Sequence, residues 1–417
     1  MTMREGVLDE TRAYDTNRPV QSFVRVGNFY VNARLDVLRL GGYLWSQFEQ
    51  FLGSEGKARI SRGGISGALP PAVKKAARVA KHLMLFVLTR PASRFAGNDE
   101  ALALPVSGDL AIVRKSGAIK VLDIRSSTVY TLMSGVENGP KLRERVEFSR
   151  QIAPFPFAPA VKEVDLNGGY FAEEFVSGTH PLNFLGCKDD FAEVYQPLLL
   201  QFLRAYPPRW HDSGDYISRL RTDILAKDGL LTRVEPDQRR SVVALVEEAS
   251  QRLAGMDEAI PLVLSHGDYF SGNIVIDRGK HRAIDWANMG FRSPLHDLYY
   301  LYMNHCCRVL DQRALELRSH RAIARLREKL LGEDAELTRE LAGWLSERNE
   351  YRWLFYLECI QVPLVRCSSE EDRYLASMLV RVSWFREYER ALAVRAAEGE
   401  TGSADTAVLR PTGASNT

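Results

Sequence analysis

Three oxygen-bearing side chains lie close together in one short stretch of the sequence, PLVLSHGDYFSGNIVIDRGKHRAIDW, which spans residues 261–286. They are Asp268, Asn273 and Asp285. Mg²⁺ prefers oxygen ligands, keeps several waters and binds through one or two carboxylates together with substrate phosphates. An Asn carbonyl and one Asp match this ligand set, and a second Asp could accept a proton from an attacking hydroxyl. The stretch therefore indicates phosphoryl transfer, which combines a metal clamp with an oriented nucleophile.

The local pattern predicts that a β-hairpin brings these residues together. A short apolar strand leads into a polar loop with two glycines, and two alternating runs then flank the turn sequence RGKH. If Asp277 pairs with Arg282, Asn273 lies opposite Trp286 and next to Asp285. Because the loop that carries the first aspartate leads directly into the hairpin, all three oxygen-bearing side chains are expected at one end of it.

The spacing HGDxxxxN, followed by IDW, resembles the aminoglycoside phosphotransferase and choline kinase superfamily, which consists of small-molecule kinases with a protein-kinase-like fold. The resemblance extends to the Pro and Asp of FRSPLHDL. It implies that Asp268 is the catalytic base and that Asn273 and Asp285 bind Mg²⁺. It also implies that His266 orients the catalytic loop and that Asp297 braces the structure. A metal-dependent hydrolase is disfavoured because no further His/Asp cluster has ligand spacing.

The resemblance also implies a lysine for the ATP phosphates and a helix glutamate that holds it, and two alignments compete for these residues. In one, Lys120 of the sequence AIK is the lysine. In the other, Thr131 occupies its position and Glu147 follows sixteen residues later (147 − 131) on a helix predicted over 141–152. The lysine must then come from elsewhere, with Lys115 and Lys120 nearest. We predict Lys120 and Glu147 as the nucleotide-binding pair.

The segment EEFVSG, residues 173–178, resembles the interlobe hinge of the same superfamily. The resemblance implies that the backbone of Glu174 and Phe175 hydrogen-bonds the adenine of ATP. A strand that simply ends in a turn accounts for these residues equally well. The glycine-rich loop expected over the phosphates is reduced to Ser107-Gly108.

The pattern along the chain predicts an α+β fold with two lobes, protein-kinase-like in class. Short β-prone runs separated by turns indicate a small β-rich N-lobe at 99–176, and helical periodicity indicates a mostly helical C-lobe at 177–396. Residues 1–98 are predicted to form a basic N-terminal extension. The tail, 397–417, is rich in Gly, Ala, Ser and Thr, so we expect it to be disordered.

The N-terminal extension has an unusual charge distribution. Between Gly56 and Asn98 there are nine Lys or Arg and no Asp or Glu, although the whole chain has 55 basic and 53 acidic residues. A helix predicted over 72–90 would place an apolar face, including Ala76, Ala80, Leu83, Met84 and Val87, opposite a basic face. Such a helix can pack on the main body or lie on an anionic membrane surface.

Composition narrows the partners and the location. The net charge of the whole chain is close to zero, so it gives no reason to expect a nucleic acid as a partner. Five cysteines without CxxC spacing indicate neither a disulfide framework nor a zinc site. We expect a cytoplasmic protein, and residues 56–98 are the segment that could contact the inner face of a membrane. The sequence does not fix its oligomeric state.

Together these features predict an ATP- and Mg²⁺-dependent phosphotransferase. Its acceptor is expected to be the hydroxyl of a small molecule, either a sugar or an amino-alcohol, with a membrane-associated glycolipid as one form of it. The competing hypothesis is a kinase-like nucleotide-binding module without turnover. The uncertain lysine and the reduced glycine loop favour the module, whereas the complete set of Asp268, Asn273 and Asp285 favours the enzyme.

Overall fold

The fold is known from a computed structural model of the chain. Lys115 and the tail beyond residue 397 lie outside the described residues, so the predictions for them concern parts that the structure does not describe. The described residues are 21–26, 29–38, 40–41, 76–77, 79–84, 86–87, 101–113, 118–133, 139–178, 191–306, 312–333, 336–345, 351–366 and 372–397.

An eight-stranded antiparallel sheet is the largest β element, and its strand order is β3-β1-β2-β4-β5-β6-β8-β7. Its strands between residues 110 and 174 come from the short β-prone runs that the sequence predicted within 99–176. The strands are β1 Gln21–Val26, β2 Phe29–Asn32, β3 Ala101–Leu104, β4 Leu110–Val113, β5 Ile119–Asp123, β6 Thr128–Leu132, β7 Val161–Asp165 and β8 Tyr170–Glu174.

Strands β1 and β2 come from the segment predicted as an N-terminal extension. They insert between β3 and β4, so the sheet does not begin at residue 99. The Asn32 side chain fixes their position, because its amide nitrogen donates to Gln21 Oε1 at 2.8 Å and to the Gly108 carbonyl at 2.7 Å. Gly108 is packed too tightly for a side chain, since an added Cβ would lie 2.3 Å from Val121 Cγ1. Part of the extension is therefore integral to the β-rich portion.

Helix α1, Gly139–Ile152, packs against this sheet. Its apolar positions Leu142 and Val146 are buried against Met133 and Phe171. The sequence predicted this helix over 141–152, and the structure shows that its buried side carries Leu142 and Val146 at helical spacing.

A separate hairpin follows the catalytic-loop sequence. Its strands are β11, Ile274–Asp277, and β12, Lys280–Ala283, and Asp277 pairs with Lys280 rather than with Arg282. The predicted register was therefore wrong by two residues. Arg278 and Gly279 both have positive φ angles, 49° and 79°, as a two-residue hairpin turn requires.

The described residues group into two compact units, each made of two segments: 1–208 with 263–291, and 209–262 with 292–417. The first unit contains the large sheet and the hairpin. The division follows contacts rather than chain order, and the boundaries at 98/99 and 176/177 remain predictions.

The second unit is mostly helical. A short strand β9, Arg209–His211, pairs with the start of a buried strand β10, Ile260–Ser265. Helix α2, Phe191–Ala205, follows the hinge segment and belongs to the first unit. The described helices of the second unit are α3 Ser213–Leu225, α4 Asp228–Leu231, α5 Pro236–Leu253, α6 His296–Cys306, α7 Gln312–Leu331, α8 Glu336–Trp344, α9 Tyr351–Arg366 and α10 Asp372–Ala397. The predicted α+β fold class, with a β-rich part and a mostly helical remainder, is confirmed.

Candidate active site

The loop from His266 to Asn273 lies between a buried strand and the hairpin. Strand β10 is buried along its whole length and ends at Ser265. Gly267 then adopts a φ of 75°, a left-handed conformation that glycine tolerates without strain. This turn places the partly buried Asp268 immediately after the strand. The local sequence therefore fixes where the candidate base lies.

His266 connects the loop to the end of the hairpin. Its ring is fully buried, and Nε2 lies 2.9 Å from the carbonyl oxygen of Ile284. The backbone N–H of Asp268 donates to Nδ1 at 3.3 Å, so Nδ1 is an acceptor and the proton of the neutral ring is assigned to Nε2. This geometry favours the predicted orienting role over proton transfer.

Asn273 closes the loop on Asp268. Its side-chain nitrogen donates to the backbone oxygen of Asp268 at 2.9 Å and to Oδ2 at 3.3 Å. The backbone carbonyl of Asn273 accepts from the backbone N–H of Ile284 at 2.9 Å. Asn273 therefore lies opposite Ile284 instead of Trp286. Because the amide nitrogen faces Asp268, the side-chain oxygen is the atom that remains for a cation.

Asp285 follows Ile284 directly and has a strained backbone. Its φ and ψ are 65° and 57°, the left-handed region that residues with a Cβ rarely occupy. Such strain persists where surrounding contacts hold it and is concentrated at functional sites. The Asp285 side chain is 30 % exposed and pairs with Lys120, whose Nζ lies 3.4 Å from Oδ2.

The donor set fits a hydrated Mg²⁺ ion. Among the described residues no group of three or more His, Cys, Asp or Glu could hold a metal ion, so a cage made of protein alone is absent there. Asn273 and Asp285 instead offer two oxygen ligands at neighbouring positions. Mg²⁺ characteristically takes few protein ligands and completes its shell with waters and phosphate oxygens.

The two alignments for the phosphate lysine meet at one place in the sheet. Lys120 on β5 lies directly opposite Thr131 on β6 in the strand register. Thr131 is buried, and the basic group at this level of the sheet comes from the neighbouring strand. Lys120 therefore lies beside the position where the second alignment expected a lysine, and it contacts the predicted metal ligand Asp285.

The structure does not bring Glu147 to Lys120. Glu147 is exposed on α1, and its carboxylate accepts a hydrogen bond from Gln151 of the same helix at 3.2 Å. The side of α1 that faces the sheet instead carries Ser149. The prediction misjudged the helical phase, because Glu147 follows directly after buried Val146 and points away from the sheet.

Sequence reasoning missed Glu173 as a member of this cluster. It lies on β8, and Ser149 Oγ donates to its Oε1 at 2.7 Å. Burial is the largest influence and raises the pKa of Glu173; the Lys120 charge and the Ser149 bond lower it, and Asp285 raises it further. The net direction is upward. The sequence contains two consecutive glutamates at this point, Glu173 and Glu174. The sequence alone gave no reason to choose one of them over the other.

The hinge residues are committed to internal contacts. The backbone N–H of Glu174 donates to Ala160 at 2.8 Å, and that of Phe175 donates to Ser127 at 2.8 Å. The Glu174 carboxylate receives two hydrogen bonds from Arg282, at 2.8 Å and 2.6 Å, which lower its pKa. Adenine recognition through these two residues, which stays a prediction, would have to use atoms other than their amide hydrogens.

Arg282 and a glycine attach the hairpin to the hinge segment. The Arg282 guanidinium also donates to the Ala158 carbonyl at 2.6 Å. At Gly178 an added Cβ would lie 2.5 Å from the Ile276 carbonyl, so the chain after the hinge passes close against β11. Within the first unit, these contacts hold the hairpin that carries Asn273 and Asp285 against the sheet that carries Lys120.

Comparisons with known proteins agree with this site. Residues 180–347 match the model of the phosphotransferase enzyme family, a span that includes every residue of the loop and hairpin. The match covers less than half of the chain. It confirms the resemblance drawn from the HGD and IDW motifs and supports a phosphotransferase. Curated proteins gave no match.

Solved structures of small-molecule kinases resemble this chain at low sequence identity. The choline kinase LicA from Streptococcus pneumoniae is 13% identical, covers 73% of this chain and 99% of its own, and has a TM-score of 0.43. A Plasmodium vivax ethanolamine kinase is 14% identical over 79% and 96%, with a TM-score of 0.43. The aminoglycoside phosphotransferase APH(3'')-Id from Streptomyces rimosus is 18% identical over 60% and 91%, with a TM-score of 0.39. Because each TM-score is below 0.5, no conclusion rests on them.

Proposed function

We propose that the chain transfers a phosphoryl group from ATP to a hydroxyl of a small molecule, with Mg²⁺ as the required ion. One observation carries the proposal: Asn273 is hydrogen-bonded to Asp268, and Asp285, one residue beyond Ile284, forms an ion pair with Lys120. A base, a basic group and two oxygen ligands are thus gathered on one loop, one hairpin and one strand. This is the combination that phosphoryl transfer requires.

Each residue has a chemical task in this reaction. Asp268 accepts the proton of the acceptor hydroxyl, whose oxygen forms a bond to the γ-phosphorus while the bond to the β–γ bridging oxygen breaks and ADP leaves. Lys120 offsets negative charge on the phosphates, and His266 holds the loop to the end of the hairpin. When Mg²⁺ is bound by Asn273 and Asp285, it supplies further positive charge to the phosphate oxygens.

Turnover measurements with the Asp268→Ala variant test the proposal. Wild-type protein is assayed for ADP release against a panel of sugar and amino-alcohol acceptors, with and without Mg²⁺. We expect acceptor-dependent ADP release that needs Mg²⁺ and falls by about 10²- to 10⁴-fold in the variant, the usual contribution of a general base. Asp277→Ala is the matched control, because this carboxylate lies at the turn end of the same hairpin. Its activity should stay within about twofold of wild type.

The competing function, a nucleotide-binding module, is distinguished by the same protein preparation. The module predicts that Mg²⁺ and ATP together raise the melting temperature while no acceptor in the panel produces ADP. If Asp268→Ala has the same turnover as wild type, the assignment of the base is wrong.

We also propose that residues 56–98 contact an anionic membrane surface. The described turns of the helix at 76–87 bury Val79 and Phe86 against the sheet and leave Met84 and Val87 exposed, at 58% and 49%. The buried side therefore differs from the apolar face that the sequence predicted, and the exposed side is still apolar. Exposed apolar residues within a segment of nine positive and no negative charges suit anionic lipid. No helix in the described part of the chain is long and apolar enough to span a bilayer.

Vesicle co-sedimentation tests this contact. Removing residues 1–98 would delete β1 and β2 from the sheet, so the double substitution Met84→Asp with Val87→Asp is the better variant. We expect wild type to sediment with vesicles that contain phosphatidylglycerol but not with pure phosphatidylcholine, and the double variant to lose this binding. Val380→Asp is the control, because Val380 is 47% exposed on α10. Equal sedimentation of all three proteins would contradict the proposal.

A further inference from the structure

The pairing of Lys120 with Asp285 creates a conflict that the proposed function must resolve. A metal ion bound to Asp285 would compete with Lys120 for the same carboxylate, because both are cations at one site. When Asp285 binds the metal, Lys120 needs another carboxylate to keep its ammonium group near the phosphates. Lysine has a long, flexible stem, so its position depends on such a partner.

Helix α1 does not provide that carboxylate. The buried positions of the helix are Leu142, Val146, Ser149 and Ile152, and none of them is acidic. Glu147, the residue expected to hold the lysine, is exposed and hydrogen-bonded along its own helix.

Glu173 on β8 occupies the required side of the sheet. Thr131 lies opposite Lys120 in one direction and opposite Phe171 in the other. Side chains two residues apart on a strand share a face, so Glu173 lies on the same face as Phe171 and Lys120. The positive charge of Lys120 lowers the pKa of Glu173, as does that of Arg145 from α1, although burial keeps the net direction upward.

The helix still contributes to this arrangement through a hydrogen bond. Ser149 Oγ donates to Glu173 Oε1 at 2.7 Å, which fixes one carboxylate oxygen and the rotamer of the side chain. The helix therefore holds the carboxylate on the strand, on the same face of the sheet as Lys120.

We propose that Glu173 is the positioning residue for Lys120 and replaces the helix glutamate that this kind of site was expected to use. The inference rests on the proposed function, because it assumes that Lys120 contacts the phosphates of ATP. Glu173 does not itself touch the nucleotide. It keeps the ammonium group in place when Asp285 is occupied by the metal ion.

A double-mutant cycle on Mg²⁺-dependent ATP binding tests this role. Glu173→Gln keeps the shape of the side chain and an oxygen that accepts from Ser149, and it removes only the charge. We expect it to weaken ATP binding in the presence of Mg²⁺ by about tenfold, and to raise the KM for ATP while the KM for the acceptor is unchanged. In a Lys120→Met background, Glu173→Gln should change ATP binding by less than about twofold, because the group that it positions is gone.

Two further variants make the outcome specific. Glu144→Gln removes a charge from an exposed position of α1 and should leave ATP binding unchanged. Glu147→Gln tests the alternative partner directly: if it weakens ATP binding and Glu173→Gln does not, the inference is wrong. Additive effects of Glu173→Gln and Lys120→Met would also overturn it, because they would show a role independent of the lysine.

The inference and the proposed function fail in different ways. If wild-type protein neither binds ATP with Mg²⁺ nor releases ADP with any acceptor, the proposed function is wrong. If wild type binds ATP and Glu173→Gln binds it equally well, only the role of Glu173 is wrong. Melting temperatures without nucleotide establish that each variant is folded in both cases.

Discussion

Two partly or fully buried glutamates, one in each compact unit, show opposite behaviour. Glu173 is partly buried beside Lys120 and Asp285, it accepts one side-chain hydrogen bond from Ser149, and its pKa is raised, mainly by burial. Glu358 on α9 is almost completely buried, yet its pKa is lowered. Burial is again the largest single influence on Glu358 and acts upward, but the bonds it receives together outweigh it.

The difference lies in the number of donors. Glu358 accepts from the Ser293 N–H at 2.7 Å, Ser293 Oγ at 2.8 Å, Tyr216 OH at 2.7 Å and His296 Nδ1 at 3.0 Å. A carboxylate with several donors is stable when buried, whereas one with few donors depends on nearby cations. The hydrogen bonds of Glu358 thus stabilise its ionised form, whereas the pKa of Glu173 also depends on the charges of its neighbours.

The largest expected effect is the loss of stability when Glu358 is removed. Glu358→Ala leaves the donors of Ser293, Tyr216 and His296 without an acceptor inside the second unit. We expect the free energy of unfolding to fall by about 3–5 kcal/mol, because each buried donor left without a partner costs about 1–3 kcal/mol. Urea denaturation followed by circular dichroism measures this change.

Glu387→Ala is the matched control for that experiment. Glu387 is an exposed residue of α10 that accepts a hydrogen bond from Ser383 Oγ at 3.4 Å. Its substitution should change the free energy of unfolding by less than about 0.5 kcal/mol. A loss below about 1 kcal/mol for Glu358→Ala would show that the four donors find water instead, and the contrast between the two glutamates would disappear.

A smaller effect is the acid dependence that Glu358 confers. Because its pKa in the folded state lies below the ordinary 4.5, its stabilising contribution is complete above that value and is lost as the pH falls through the folded pKa. Glu358→Gln should therefore be less stable than wild type near neutral pH, and the difference should shrink as the pH is lowered below 4.5. Denaturation at a series of pH values measures it, and a constant difference would contradict the assignment.

The sequence predicted the parts of the site whose residues are close along the chain. His266 reaches Ile284, and Asn273 reaches Asp268, over separations of 18 and 5 residues. A loop and a hairpin therefore suffice to bring them together, whatever the remainder of the chain does. The register error of two residues did not matter, because Asn273 remained beside Asp285 in either register.

The sequence could not predict contacts that depend on the packing of the sheet. Lys120 and Asp285 are far apart in the chain, and only the placement of the hairpin against the sheet joins them. Glu173 and Glu174 are adjacent and identical, but strand alternation sends one toward Lys120 and the other toward Arg282. Strands β1 and β2 were missed because the charge imbalance of the surrounding segment dominated its interpretation.

A third prediction concerns the sign of the Glu173 effect on stability. A carboxyl with a raised folded pKa binds its proton more tightly in the folded protein, so its stabilising contribution is complete below 4.5 and is lost as the pH rises through the folded pKa. The contribution therefore becomes smaller as the pH rises above 4.5. Glu173→Gln, which cannot ionise, should be at least as stable as wild type within about 0.5 kcal/mol.

The measurement is urea denaturation near neutral pH, with Glu358→Gln as the comparison that destabilises. A clear loss of stability in Glu173→Gln would mean that the ionised carboxylate is a structural requirement, in which case the two glutamates would not differ in kind.

The smallest expected change in stability is that of Asp285→Asn, and it sharpens the contrast because it separates stability from function. The variant loses a partly exposed ion pair with Lys120, and such pairs contribute about 0–1 kcal/mol. Asn tolerates the left-handed backbone of Asp285 well, which offsets part of that loss. We therefore expect the free energy of unfolding to change by less than about 0.5 kcal/mol.

The rise in melting temperature that Mg²⁺ and ATP produce together should nevertheless be mostly lost, since an amide is a weaker Mg²⁺ ligand than a carboxylate. Asp277→Asn on the same hairpin should keep the full rise, and an equal rise in both variants would show that Asp285 does not hold the metal.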